Sequence, residues 1–417
     1  MPAVLHVTQP TDAGVAAYVA ALCADQQARG WDVVVACPGR GRLPGDLAAL
    51  DVRRIGWEAD RSIGTGAAAE AQRLSRLLDR VGPDLLHLHS SKAGLAGRLA
   101  ARGQLPTVFQ PHGWSWLAVP RPMVRATLAW ERLSARWTTL YLCVGEGEAA
   151  EGRRRGLRGR YCVVRSGVNL TRFAHAGDVE RRRARARLGI PLDVPLAVCV
   201  GRVTTQKGQD VLLGAWSRVH ASCSGARLAV VGDGDLLEPL RRQAPPGVIF
   251  AGPVDDPREW YAAADLVVLP SRWEGLPLTL LEALAMGRSV VASDIAGIRE
   301  ELPGAAGMLV PAGDAGALAA AISHRLCHRD IALVEGEAAA RYAAAHADVR
   351  RTYETLAAVT SRLAESCPHG RPATGVPGRQ RRRSRNERRT HATEGGGSTR
   401  QHRLMAGTDP ARRRRPR

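Results

Sequence analysis

Short runs of β-branched and aliphatic residues alternate along the chain with longer Ala-, Leu- and Arg-rich stretches, an alternation that predicts an α/β protein with parallel sheets. In the first half the predicted strands are Ala3–Thr8, Asp32–Cys37, Leu85–His89, Thr107–Gln110, Leu140–Val144 and Tyr161–Val164. Helical spacing falls between them at Gly14–Arg29, Ala67–Arg80, Gly94–Ala101 and Met123–Trp137. A polar passage over 174–195, containing RRRARARLG, reads as a linker with one helix. The pattern then restarts, with strands at Leu196–Val200, Arg227–Val231, Val248–Ala251, Leu266–Leu269, Ser289–Ala292 and Met308–Val310. Helices are expected at Gly208–His220, Leu236–Arg242, Arg258–Ala264, Leu278–Met286 and Ala315–Leu326.

Two consecutive units of similar size predict two Rossmann-like domains facing each other across a cleft, 1–173 and 196–345, with a closing helix over 346–366. Open parallel sheets bind ligands outside the carboxyl ends of their strands, so the cleft is where chemistry is expected. Beyond Cys367 the chain is rich in Pro, Gly, Arg and Thr without periodicity, the composition of a disordered tail.

Composition changes this picture in three places. The 417 residues are 45% hydrophobic and 24% charged, which excludes a wholly disordered chain. No apolar run reaches 18 residues, so no membrane-spanning helix is expected, and MPAVLHVTQP does not read as a cleaved secretory signal. The formal charge of +19 is concentrated at one end, because residues 368–417 hold 15 arginines against three acids. Only Lys92 and Lys207 among the 59 basic residues are lysines. The eight cysteines form neither a CxxC pair nor a Cys/His cluster at zinc spacing, and several sit in apolar runs, so reduced buried thiols and a cytoplasmic location are expected.

Three segments carry candidate chemistry. In SRWEGLPLTLLEALAMG, a strand ends before a loop carrying Glu274, and Glu282 follows eight residues later on a helix. If wholly helical, that separation spans roughly 12 Å, the reach from a ribose across a diphosphate to a sugar ring. Carboxylates at each end suit vicinal hydroxyls, and the intervening helix start offers free amides to phosphate or sugar oxygens. Two acids flanking a solvated helix start would give the same spacing. In LAVCVGRVTTQKGQ, a buried strand delivers Gly201 and Arg202 into a loop that continues to Lys207 and a helix start, a pairing of cations suited to a diphosphate. In VVGDGDLLEPL, Asp233-Gly234-Asp235 has the form of a metal-holding DxD. Its place at a strand-to-helix turn favours tight geometry instead, with Asp235 expected to cap the next helix.

Elsewhere the signals are weaker. GRGRLPG after the second strand reads as a surface loop. HLHSSKAG and FQPHGWSW each end a strand with histidine, and His112 falls where the cleft is expected.

Together these segments resemble the retaining nucleotide-sugar glycosyltransferases of glycosyltransferase family 4, with their two-Rossmann GT-B architecture. The likeness covers roughly residues 1–365 and rests most on the E-x7-E stretch Glu274–Glu282, supported by GRVTTQKG, VVGDGD and YAAADLVVLPS in the family's order. It implies that Arg202 and Lys207 bind the pyrophosphate, Glu274 the donor-sugar hydroxyls and Glu282 the ribose. Gly275 and Leu276 would present amides to sugar and diphosphate, with Gly201 beside them. Gly14 would lie near the diphosphate, and His112 near the transferred sugar. The sequence departs from the family pattern in reading Ala13-Gly14 and Ala296-Gly297 where Gly-Gly pairs are common. Ser289 stands where Pro often does, and Gly145 replaces a frequent Ser.

The resemblance implies hexosyl transfer with retention, no cofactor and no metal, a nucleotide-sugar donor and a glycan, lipid-linked or small-molecule acceptor. Two other readings stand beside it: a nucleotide-sugar epimerase of the same fold, and a nucleic-acid binder acting through the basic tail, which lacks the aromatic interleaving of such proteins. The tail, or the helix over Met123–Trp137 with Met123, Trp130, Leu133 and Trp137 on one stripe, could also hold the protein at the inner face of a membrane. For that helix, an apolar stripe packed into its own domain is the favoured expectation.

Overall fold

In the computed structural model, which describes residues 1–60 and 66–365, every strand lies in one of two parallel sheets. The first contains β1 (Ala3–Thr8), β2 (Asp32–Cys37), β3 (Arg53–Gly56), β4 (Leu85–His89), β5 (Thr107–Gln110), β6 (Leu140–Cys143) and β7 (Tyr161–Val163), in the order β3-β2-β1-β4-β5-β6-β7. The second contains β8 (Leu196–Val200), β9 (Arg227–Val231), β10 (Val248–Gly252), β11 (Leu266–Leu269), β12 (Ser289–Ser293) and β13 (Gly307–Val310), in the order β10-β9-β8-β11-β12-β13. Both are doubly wound, and the strand order reverses between β1 and β4 in one and between β8 and β11 in the other. Those two reversals are where such sheets open a crevice for ligands.

The inner strands are mostly apolar because helices cover both faces, with His6 on β1 and His87 and His89 on β4 among the buried exceptions. β1, β4, β8 and β11 are buried along their whole length. Helix Ser90–Ala101 approaches its sheet so closely that a Cβ on Gly94 or Gly97 would overlap Phe109 or Leu88. Beneath it Arg98, fully buried, pairs with Glu131 at 2.8 Å and lies 4.1 Å over the Phe109 ring.

The passage predicted as a linker holds helix Asp178–Leu188, which is tied to the second sheet. Buried Arg185 donates to the Ala263 and Val194 carbonyls and pairs with Asp265 at 2.7 Å, while Asp265 also accepts from Leu196 N at the head of β8. The described residues end with two helices, Arg329–His346 and Val349–Glu365. The last returns to the first sheet, where Leu356 and Leu363 join the core formed by Val4, Leu85, Val108 and Leu140. At this return Val168 N donates to Ala347 O and Val349 N to Val168 O, so the two crossings between the sheets are bonded to each other.

Three expectations are corrected. GRGRLPG is not simply a surface loop: helix Leu43–Ala49 starts within it, with proline in its first turn. Asp235 does not cap the next helix, which starts at Leu237 without a side-chain cap. In helix Arg121–Ser134 the inward face is Thr127, Leu128, Glu131 and Ser134, while Met123 and Leu133 are exposed. Only part of the stripe is reversed: Trp130 and Trp137 are half-buried with ring centroids 6.2 Å apart, Trp130 lying 5.9 Å from Arg98, while Glu131 turns inward to pair with that arginine. The Arg-rich tail lies outside the described residues.

Candidate active site

The two loops singled out by sequence leave the second sheet on either side of its reversal, one after β8 and the other after β11. Gly201 and Arg202 leave β8, and a short 3-10 turn, Thr205–Lys207, carries the lysine. Gly208 then takes φ 70°, and a Cβ there would overlap the Pro270 carbonyl that ends the neighbouring strand. A glycine is therefore required for the two loops to meet. The turn over Gly232 and Gly234 supports them from β9, set against the carbonyls of Gly201 and Val203.

Where the loops meet, Lys207 Nζ lies 2.6 Å from Glu274 Oε1, with the side chains only 17% and 7% exposed. The same carboxylate accepts from Ser271 Oγ at 2.8 Å and from Gln206 Nε2 at 3.3 Å. Gln206 in turn accepts from Arg202 at 3.4 Å, which links the guanidinium to the acid through one amide. The other lysine is used the same way: Lys92 pairs with Glu70 at 2.9 Å, both nearly buried. A chain that otherwise supplies cations as arginine thus keeps its ammonium groups for enclosed pairs, where a compact point charge fits.

Glu282 sits within helix Leu278–Ala285, accepting from Tyr261 OH at 2.8 Å, and burial raises its carboxyl pKa. Residues 274–277 precede that helix, so the span from Glu274 to Glu282 is not helical throughout. Gly275 and Leu276 lie in this pre-helical loop, where backbone amides remain available.

The opposing wall comes from the first sheet. A Cβ on Gly275 would stand 3.2 Å from Gly113 N and 3.4 Å from the His112 carbonyl carbon, so His112-Gly113 faces the Glu274 loop directly. His112 is held at φ 52°. Glu148 fixes the turn behind it, accepting from Gly113 N at 2.7 Å and Val144 N at 2.9 Å, and burial lifts its pKa to about 7. Gly14, after β1, approaches the helix start at Leu278 to 3.7 Å from where its Cβ would be. The departure at Ala13 has a cost: this alanine takes φ 58°, a left-handed conformation glycine would adopt freely.

One other departure, Gly145, is accounted for by a contact, and the glycine kept at 297 by another. Glu300 accepts from Glu146 N at 2.7 Å and Gly147 N at 2.5 Å, joining the second domain to a helix start of the first, and a Cβ on Gly145 would stand 2.9 Å from it. Gly297 packs against the Gly275 carbonyl with no room for a Cβ.

The geometry therefore brings Arg202, Lys207, Glu274, Gly275 and Glu282 around one crevice, with His112 and Gly14 opposite. Sequence reasoning missed Gln206, Ser271 and Tyr261, which orient these groups. Gln206 alone offered a signal, standing between the two cations.

Family models match in both halves: Glycosyltransferase Family 4 over residues 13–172 and Glycosyl transferases group 1 over residues 194–328. A GDP-mannose-dependent alpha-(1-6)-phosphatidylinositol monomannoside mannosyltransferase of Mycobacterium tuberculosis is 30% identical over 351 residues, 78% of this chain and 81% of that protein. A UDP-Gal:alpha-D-GlcNAc-diphosphoundecaprenol alpha-1,3-galactosyltransferase of Escherichia coli is 30% identical over 244 residues, 54% of this chain. That match spans 61% of the Escherichia coli protein's length. Among solved structures, sucrose-phosphate synthase from Thermosynechococcus elongatus superposes with a TM-score of 0.76 at 21% identity, covering 88% of this chain and all of that one. Anabaena HepE in complex with UDP and glucose gives 0.74 at 19% identity, covering 87% and 100%. With both halves matched and the mycobacterial likeness running through most of each chain, the protein belongs to glycosyltransferase family 4 and has its GT-B fold.

Proposed function

We propose that this protein transfers a hexose from a nucleotide-diphosphate sugar to an acceptor hydroxyl with retention of anomeric configuration. The bond from the anomeric carbon to the diphosphate breaks as the acceptor oxygen bonds the same face, and the departing phosphate oxygen takes the acceptor's proton. Negative charge builds on the leaving group, where Arg202, Lys207 and the amides of Gly275 and Leu276 stabilise it. Two fixed cations supply the charge such a leaving group needs, which supports a reaction without a divalent metal. Glu274 holds donor hydroxyls, Glu282 holds the ribose, Gly201 and Gly14 line the diphosphate, and His112 meets the sugar from the other wall.

One observation carries the reading: the enclosed Lys207–Glu274 pair at the strand-order reversal. It ties a phosphate-binding cation to a sugar-binding acid, so leaving group and sugar are positioned by one unit. The test is a panel of nucleotide sugars assayed for thermal stabilisation and for slow release of nucleoside diphosphate. A hit that Lys207→Ala abolishes supports the assignment. Stabilisation by a nucleotide sugar that is unaffected by both Lys207→Ala and Glu274→Ala would overturn it.

A lipid-linked acceptor at a membrane surface is the reading we favour for the other substrate. Helix Arg121–Ser134 exposes Met123 in its first turn and Leu133 in its last, with Arg121, Arg125 and Arg132 exposed on the same helix, a mixture of apolar and cationic groups that suits anionic lipid. No helix among the described residues is long and apolar enough to cross a membrane. Co-sedimentation with anionic vesicles should fall for Met123→Ser with Leu133→Ser, and equal binding by that variant would exclude this helix.

A further inference from the structure

Behind His112 the first sheet buries three more histidines. His6 on β1 is in register with His87 on β4, and His89 two residues on shares its side of the strand. Gln26, from helix Ala13–Ala28, is buried against them. His6 Nε2 lies 2.6 Å from Gln26 Oε1, His6 Nδ1 lies 3.0 Å from His89 Nε2, and His89 Nδ1 lies 3.2 Å from His112 Nε2. Each link uses a different ring nitrogen, so the four side chains form one unbranched line from the interior to the cleft.

The inner end sets its direction. A carbonyl oxygen only accepts, so His6 donates from Nε2 and keeps a lone pair on Nδ1. His89 then donates from Nε2, and His112 from Nε2 in its turn. A second proton on any ring would break this sequence, and burial opposes one at each position. It lowers His6 to about 4 and His112 to about 3, and holds His89 well below the usual histidine range. The remaining nitrogen, His112 Nδ1, is left as an acceptor on the half-buried residue that faces Gly275.

We propose that Gln26, His6 and His89 are positioning residues that lock His112 in its Nε2-protonated tautomer, leaving Nδ1 to accept a hydrogen bond from a donor-sugar hydroxyl. The identity of that hydroxyl rests on the glycosyl-transfer reading; the tautomer does not.

The same cluster invites a metal, since one nitrogen from each of His6, His87 and His89 lies within 4.8 Å of the others. Zinc–nitrogen bonds of about 2.0–2.1 Å place tetrahedral ligand nitrogens roughly 3.3 Å apart. The cluster holds no carboxylate to offset a buried dication. His87 and His89 stack with ring centroids 4.1 Å apart rather than splaying around a point, and His87 Nε2 is occupied by Gln110 Oε1 at 3.1 Å. The hydrogen-bonded line is therefore the reading the geometry favours.

Long-range nitrogen–proton correlation spectra of the full chain, labelled with 15N-histidine, test this directly. His6, His89 and His112 should each carry the proton on Nε2, and a proton on His112 Nδ1 would overturn the proposal. Gln26 Oε1 supplies the accepting oxygen at the inner end. Gln26→Met removes it, and because Gln26 Nε2 already lacks a partner the fold should persist. In Gln26→Met, His112 should become a mixture of tautomers and donor kcat/KM should fall roughly tenfold, the worth of one neutral hydrogen bond. Unchanged tautomers with only a lower Tm would reduce these residues to packing and overturn the proposal. So would one equivalent of zinc retained through purification without chelator. If no nucleotide sugar is turned over the spectra still decide, so failure of the tautomer and failure of the transfer reading are told apart.

Discussion

Lys207→Ala separates what the Lys207–Glu274 pair does for stability from what it does for turnover. The ammonium lies 2.6 Å from the carboxylate in a largely enclosed crevice. Its loss leaves Glu274 with two neutral donors, Ser271 and Gln206. Breaking a buried ion pair costs about 3–5 kcal/mol when the stranded charge has no other partner. The two surviving hydrogen bonds and the loop setting reduce that to about 1–2 kcal/mol. Turnover should suffer more, since one charge-stabilising donor at a leaving group is worth about a hundred- to a thousandfold in kcat. Adding Glu274→Ala removes the stranded acid, so the double variant should regain part of the lost Tm while remaining inactive. Denaturant unfolding and nucleoside diphosphate release, measured on both single variants and the double, supply the comparison. The argument is refuted if Lys207→Ala keeps kcat within a factor of three, or if the double variant regains activity along with stability.

Other consequences can be checked with simpler measurements. Gly297→Ala would force a Cβ against the Gly275 carbonyl, so it should displace the Glu274 loop and abolish donor stabilisation in a thermal shift assay. Glu300→Ala removes the carboxylate held by Glu146 N and Gly147 N, so small-angle scattering should report a larger radius of gyration, with a severalfold rise in donor KM. Stability should depend on pH through the buried histidines. Their folded pKa values lie below the unfolded 6.5, so their contribution is complete above pH 6.5 and is lost as pH falls toward 4. For His6 alone the shift corresponds to about 3 kcal/mol. Glu148, lifted from 4.5 to about 7, acts oppositely and loses its contribution as pH rises through that range. Glu282 and Glu301, also raised by burial, act with Glu148, while Asp265 and Asp210, held low by their arginine partners, side with the four histidines and make the acid side dominant; a Tm that stays level or rises from pH 6.5 to 4.5 would contradict this balance.

The sheets were legible because their inner strands are predominantly apolar runs with turn residues at each end. β3 escaped notice because RRIG offers one aliphatic residue in an exposed edge strand. Helix Leu43–Ala49 was hidden by the proline and glycine in its first turn. Helix Glu146–Arg154, with two glycines and little apolar character, gave no helical pattern either. At the crevice, Lys207 and Glu274 could be read from the sequence because each follows a recognisable strand end. Their mutual contact could not, since it depends on Gly208 bringing two loops together. Ser271 and Tyr261 are ordinary residues until a particular tertiary arrangement aims their hydroxyls at an acid. The line from Gln26 to His112 is beyond any local pattern, because its members are drawn from four separate segments.

The return of helix Val349–Glu365 to the first sheet determines how this architecture can be recombined. A single cut between the halves would strip Leu356 and Leu363 from the surface they cover and leave an oily face on the amino-terminal piece. A transplant of the donor-binding module must therefore use two junctions, one near Val168 and one near Asp348, where the backbone strands already touch. A chimaera built that way keeps each module's interior intact, and what it changes is the double tether and the facing contacts, such as Glu300 on Glu146 N and Gly147 N.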